Sequence, residues 1–255
     1  MPLEIVTVPC LTDNYAFLLH APISGLTALV DAPEAAPIEA ELAKRGWNLD
    51  FILITHHHAD HIQAVDALRE KFDTTVIGAE ADAHRLPTLD VKVKDGTVFS
   101  LASEEVRVMD VSGHTNGHIA FYLPNAKALF SADSLMALGC GRLFEGTAEE
   151  MFASLSKMAA LPAETTVFSG HEYTQANAKF ALTVDPNNED LLARVASIDA
   201  AREKGEATVP SNLGLELATN PFLRAHIAEL QTQVNMVGAS PDAVFAEIRR
   251  RKDNF

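Results

Sequence analysis

The chain has 255 residues, 35 acidic against 20 basic, for a formal charge of −15 at pH 7. Its 47% hydrophobic and 22% charged residues exclude a disordered chain. The negative balance argues against a nucleic-acid partner, because a phosphate backbone requires a positive surface.

The opening segment MPLEIVTVPCLTDN carries no basic stretch followed by an apolar one, so no secretory signal is expected. No run of 18 apolar residues is present, which excludes a membrane-spanning helix. Short runs rich in β-branched and aromatic residues predict strands at Leu3–Val8, Tyr15–Leu19, Thr27–Val30, Phe51–Thr55 and Thr75–Ile77. Further strands are predicted at Val106–Met109, Ile119–Leu123, Ala128–Phe130 and Thr166–Phe168. Helical periodicity marks Pro37–Arg45, His61–Phe72 and Ala148–Ala160. After His171 strand signals vanish, and Glu189–Lys204 and Asn220–Val234 read as helices. A last helix starts with Ser240 as N-cap and Pro241 at its first position, and runs to the C-terminus. The pattern predicts a mixed α/β domain over residues 1–172 and an all-α domain over 173–255. Cys10 and Cys140 are too few for a disulfide framework and are expected as reduced thiols in a cytoplasmic protein.

Ten histidines are present, and four of them fall within six positions: His56, His57, His58 and His61. They follow at once on the apolar run Phe51–Ile54. In an extended segment side chains alternate, so His56 and His58 share a direction and His57 points elsewhere. Asp60 and His61 open the next helix and can serve a second point nearby. Three more strands lead into the same residue types. Val106–Met109 precedes His114 and His118, Ala128–Phe130 precedes Asp133, and Thr166–Phe168 precedes His171. Ligand sites gather where loops leave strand ends, and Gly113 and Gly170 let the backbone approach closely. Imidazole and carboxylate suit Zn²⁺ and similar first-row ions, and five His with two Asp are about what two adjacent sites need.

His118 is expected to have a structural role, with orientation of a ligand as the alternative. Asp31 either orients a ligand loop or caps a turn. Cys140 is expected as a free thiol, and His20, His84 and His226 as structural residues.

The run Thr55–His61 matches the T-H-x-H-x-D-H signature of the metallo-β-lactamase superfamily. Within it the whole chain resembles the glyoxalase II, or hydroxyacylglutathione hydrolase, family. The resemblance is carried by Pro9–Tyr15, Gly113–His118, Gly139–Thr147, Gly170–Thr174, Asn220–Arg224 and Arg249–Phe255. It implies an αββα sandwich followed by an all-α domain. By resemblance, His56, His58 and His114 hold a first metal, Asp60, His61 and His171 a second, and Asp133 bridges them. Two divalent ions are implied, Zn with Fe or Mn as alternatives, and catalytic roles for Asp60 and Asp133. Arg142, Phe144, Tyr173, Arg249 and Lys252 fall on the family's glutathione-binding positions, with Phe144 where Tyr is frequent.

The implied reaction is hydrolysis of S-D-lactoylglutathione and related 2-hydroxyacylglutathione thioesters to D-lactate and glutathione. It proceeds by attack of a metal-bridging hydroxide on the thioester carbonyl, a step in methylglyoxal detoxification. A monomer acting on a small molecule is implied, with no membrane or nucleic-acid partner. The basic residues Arg249–Lys252 with Arg142 would steer an anionic thioester toward a protein at −15. The alternative is a plain helix end, where Lys and Arg are favoured. The resemblance decides for Arg249 and Lys252 and leaves Arg250 and Arg251 open. Rival readings are a glutathione persulfide dioxygenase of the same superfamily, a nuclease of the same fold, and a protein with a structural metal.

Overall fold

The computed structural model describes residues 3–102 and 104–255. The chain divides into two compact units, residues 1–110 with 117–131 and residues 111–116 with 132–255.

The first unit opens with β1 (Glu4–Cys10), β2 (Asn14–His20) and β3 (Thr27–Val30). These three are antiparallel neighbours. Helix α1 (Ala35–Arg45) ends on Gly46, whose φ of 67° makes the left-handed C-cap that glycine takes at least cost. It leads to β4 (Phe51–Leu53), which lies parallel to β3. The short α2 (Ala59–Ile62) and α3 (Val65–Phe72) then carry the chain to β5 (Thr75–Ala79) and β6 (Val91–Val93). β5 pairs parallel with β4 across that helical crossover, and β6 pairs parallel with β5 across the turns of residues 80–90. Strands β7 (Val98–Leu101), β8 (Glu104–Asp110), β9 (Ile119–Leu123) and β10 (Ala128–Ala132) form an antiparallel meander. The two layers face each other: the rings of Phe17 on β2 and Phe130 on β10 lie 5.7 Å apart. Strands β2, β3, β9 and β10 are apolar on both faces because both faces are covered.

The second unit begins with the hairpin β11 (Leu135–Met136) and β12 (Gly139–Cys140). Helix α4 (Ala148–Ala159) starts with a capping box between Thr147 and Glu150. After β13 (Thr166–Ser169) come α5 (Thr174–Val184) and α6 (Glu189–Glu203). Then follow β14 (Ser211–Asn212), α7 (Leu213–Thr219), α8 (Ala228–Gln233) and α9 (Pro241–Asp253). Leu138, Ala178, Ala181, Leu191 and Ile198 form one core of this unit. Phe222 and Phe245 add an aromatic contact at 5.8 Å.

Four local expectations change. The helix expected over His61–Phe72 is two, broken at Gln63 and Ala64. That over Asn220–Val234 is confined to α8, and residues 220–227 form turns instead, with the Leu223 N–H donating to the Asn220 carbonyl at 3.0 Å and the Ile227 N–H to the Arg224 carbonyl at 2.8 Å. Strand signals do not vanish after Tyr173, since β14 pairs with β13. Ser240 takes the N-cap position, but its hydroxyl makes no capping bond.

Among the described residues, no helix is long and apolar enough to cross a membrane.

Candidate metal centre

In the first unit the donors leave the end of β4. Thr55 sits beside Asp31, whose carboxylate accepts the Thr55 backbone N–H at 2.9 Å and the Thr55 hydroxyl at 2.8 Å. A hydroxyl that donates to a carboxylate turns its lone pairs to the next group. Here that group is His56 Nδ1, at 3.0 Å. His56 therefore carries its proton on Nδ1 and leaves Nε2 as a lone-pair donor. Nε2 lies 3.2 Å from His58 Nδ1, so the two rings converge on one point. The Asp31 carboxylate also takes His61 Nδ1–H at 2.8 Å, which frees His61 Nε2 in the same way. Asp31 is thus an orienting residue, the choice its sequence left open. Its φ of 56° is left-handed, a conformation Asp tolerates better than most residues.

Asp60, in the first turn of α2, is held by Asn14, whose amide donates to its carboxylate at 3.0 Å and its carbonyl at 3.1 Å. His57 Nδ1 bonds Asp82 at 2.9 Å, while its ring stands edge-on to the His58 ring at 5.0 Å. The His118 ring stacks on His56 at 4.6 Å and 12°. His20 stacks on Trp47 at 4.1 Å.

In the second unit, His114, Asp133 and His171 come together. Asp133 Oδ2 lies 3.2 Å from His171 Nε2 and 3.5 Å from His114 Nε2. The Arg142 carbonyl accepts His114 Nδ1–H at 2.8 Å, so this ring too presents Nε2. Gly141 is required here, because a Cβ would lie 2.0 Å from the Asp133 carbonyl and 2.8 Å from His114 Nδ1. One carboxylate between two imidazoles, and two convergent imidazoles beside a carboxylate, form donor sets that fit divalent first-row metals.

The residues expected to meet glutathione divide by exposure. The Phe144 ring is 61% exposed and stands edge-on to His114 at 5.3 Å. Tyr173, 40% exposed, stacks on His171 at 4.7 Å. Arg142 is exposed, with Nε 3.6 Å from Asp253. Lys252 is partly covered, its ammonium 5.1 Å from the Phe180 ring, and burial lowers its pKa. Arg249 differs, being only 5% exposed. It donates to the Cys140 carbonyl at 3.0 Å and to Asp253 at 2.7 Å. Arg250 and Arg251, left open by the sequence, both pair with Glu247 at 2.8 Å. Cys140 is a buried free thiol, its pKa pushed up to about 11 by burial.

The sequence did not single out Asn14, Thr55 or Asp82 for these roles. Asn14 and Thr55 lay inside the quoted motifs, but nothing local marked Asp82.

A family model described as metallo-beta-lactamase superfamily matches residues 15–171. Another, described as hydroxyacylglutathione hydrolase C-terminus, matches residues 172–255. The hydroxyacylglutathione hydrolase of Ruegeria pomeroyi is 64% identical over 255 residues, covering 100% of both chains. That of Roseobacter denitrificans is 60% identical, also over 100% of both. The solved structure of TTHA1623 in a di-iron-bound form has a TM-score of 0.62 and 26% identity, covering 86% of this chain and 100% of that one. The chain therefore belongs to the metallo-beta-lactamase superfamily and, within it, to the hydroxyacylglutathione hydrolase family.

Proposed function

We propose that this chain hydrolyses 2-hydroxyacylglutathione thioesters, S-D-lactoylglutathione foremost, to the hydroxy acid and glutathione. The observation that carries the reading is end-to-end similarity, C-terminal unit included, to proteins named for that activity. The match of residues 172–255 also disfavours the persulfide dioxygenase reading.

By the family resemblance, His56, His58 and His114 would hold one metal and Asp60, His61 and His171 the other, with Asp133 shared. The orientations of the donors support this. His56, His61 and His114 each present Nε2, and the Asp133 carboxylate lies between imidazoles from both sets. The chain itself ties the two donor groups: three residues separate His114 from His118, whose ring stacks on His56. Two divalent ions, which we take as zinc with iron or manganese as alternatives, would supply Lewis acidity toward the carbonyl and acidify a water toward pKa about 7.

The protein's own groups do the positioning. Asn14 fixes the orientation of the Asp60 carboxylate. Asp31 and the Arg142 carbonyl hold protons on the far side of the imidazoles, away from the donors. Phe144 and Tyr173 offer exposed aromatic faces beside His114 and His171. We assign Arg142 and Lys252 to the substrate carboxylates, and Arg249 to the same subsite through the segment it braces. The departing group is a thiol with pKa about 8.5, so it leaves without a protein acid. The buried free thiols fit a cytoplasmic enzyme, and we take it to be a monomer.

Product analysis tests the reading. One D-lactate and one free thiol per S-D-lactoylglutathione consumed, with no oxygen uptake, is expected. Oxygen consumption with sulfite formed from glutathione persulfide, and no thioester cleavage, would overturn it.

A further inference from the structure

Asp82 is a carboxylate outside the donor set. It sits in the turn after β5, and its side chain is fully buried. A buried carboxylate is costly unless donors surround it. It has two: His57 Nδ1 at 2.9 Å and the Arg85 guanidinium. The Asp82 carbonyl accepts the Arg85 N–H at 2.9 Å, which closes the turn around the pair. Gly117 presses on the same residue. Its φ is +82°, and a Cβ there would lie 3.0 Å from the Asp82 Cβ. Asp82 thus abuts both the ligand loop, through His57, and the backbone next to His118, whose ring stacks on His56.

His57 lies between His56 and His58 in the chain, and its ring stands edge-on to the His58 ring at 5.0 Å, so fixing the middle side chain fixes the rotation of the segment that carries all three. That rotation sets whether His56 Nε2 and His58 Nδ1 converge, as they do at 3.2 Å. A bond from a buried, doubly paired carboxylate is a rigid anchor for it.

We propose that His57 and Asp82, with Arg85 as counter-ion, are positioning residues that preset the His56–His58 pair for metal. The inference rests on the reading that His56 and His58 bind a metal.

The test measures zinc affinity by chelator competition on the full chain, together with the thermal midpoint of the metal-free protein. His57→Phe removes the donor and keeps a ring. It is expected to weaken zinc binding about 10–100-fold, the usual loss when a ligand's supporting partner goes. His57→Asn places an amide donor near the position of Nδ1 and should restore most of the affinity. Asp82→Asn should resemble His57→Phe. A filler role alone would lower the metal-free midpoint and leave zinc affinity unmoved. Zinc affinity of His57→Phe within about twofold of the parent would overturn the inference. A parent that binds no zinc at all would instead defeat the reading beneath it.

Discussion

Replacing Asp31 by Asn changes one atom and should misdirect two imidazoles. In the parent, one carboxylate oxygen takes the Thr55 N–H, and the other takes the Thr55 hydroxyl and His61 Nδ1–H. With an amide there, Oδ1 keeps the Thr55 N–H and an NH₂ replaces the second oxygen. That NH₂ faces His61 Nδ1, which must shed its proton to Nε2. It also reverses the Thr55 hydroxyl, which then donates to His56 Nδ1, at 3.0 Å, and drives that ring to the same wrong tautomer. The flipped amide is no better, because it sets its NH₂ against the Thr55 N–H. Backbone strain does not intrude, since Asn tolerates the φ of 56° as well as Asp. Each ring is set by a hydrogen bond in a chain that begins at an ionised group, worth about 1.5–3 kcal/mol. Since each 1.4 kcal/mol is about a factor of ten, zinc affinity should fall by about 10–100-fold. Chelator competition gives the affinity, and nitrogen-15 spectra of the metal-free imidazoles give the tautomers. Parent-like zinc affinity with both rings still protonated on Nδ1 would refute the reasoning.

Gly141→Ala should expel metal from the second-unit donors, because its Cβ would sit 2.0 Å from the Asp133 carbonyl. Metal counting should show at least one equivalent lost, and full loading would contradict the geometry. Glu216→Ala should cost about 3–5 kcal/mol of stability. It strands buried Arg194, and it removes the acceptor of the Leu138 N–H at 2.8 Å. Denaturant midpoints check this, and a loss below about 1 kcal/mol would count against the network. The Glu247 carboxyl falls from 4.5 to about 2, held down by Arg250 and then Arg251. A lowered carboxyl stabilises the native state above its unfolded value and loses that contribution as pH falls. Its support of α9 should be complete above about pH 4.5 and gone near pH 2. Amide signals of α9 in the parent and in Glu247→Gln should therefore differ at pH 5 and converge at pH 2.

Much of the centre was legible because the chemistry is local. Alternation paired His56 with His58, whose ring nitrogens meet at 3.2 Å, but its expectation that His57 points elsewhere holds only in part, since His57 bonds Asp82 and yet stands edge-on to the His58 ring at 5.0 Å. The supporting residues were not legible, because their partners are distant in sequence. Asp31 lies 24 residues from Thr55, and His57 lies 25 from Asp82. No periodicity reports such a bond. The same limit hid Glu216, whose carboxylate reaches Leu138 across 78 residues. Arg249 shows the converse. Its place in a basic run at a helix end suggests an exposed charge, but packing over Phe222 and a bond to the Cys140 carbonyl bury it. Strands as short as β11, β12 and β14 carry too few residues for a pattern, and pairing alone defines them.

A metal titration tests most directly whether thioester hydrolysis occurs at a centre of His and Asp ligands. Metal-free protein receives zinc in steps while S-D-lactoylglutathione hydrolysis is followed by loss of thioester absorbance. The rate should rise to a plateau at two equivalents per chain, and Asp133→Ala should show almost none at any loading. Full activity without metal, or an undiminished rate in Asp133→Ala, would contradict hydrolysis at such a centre.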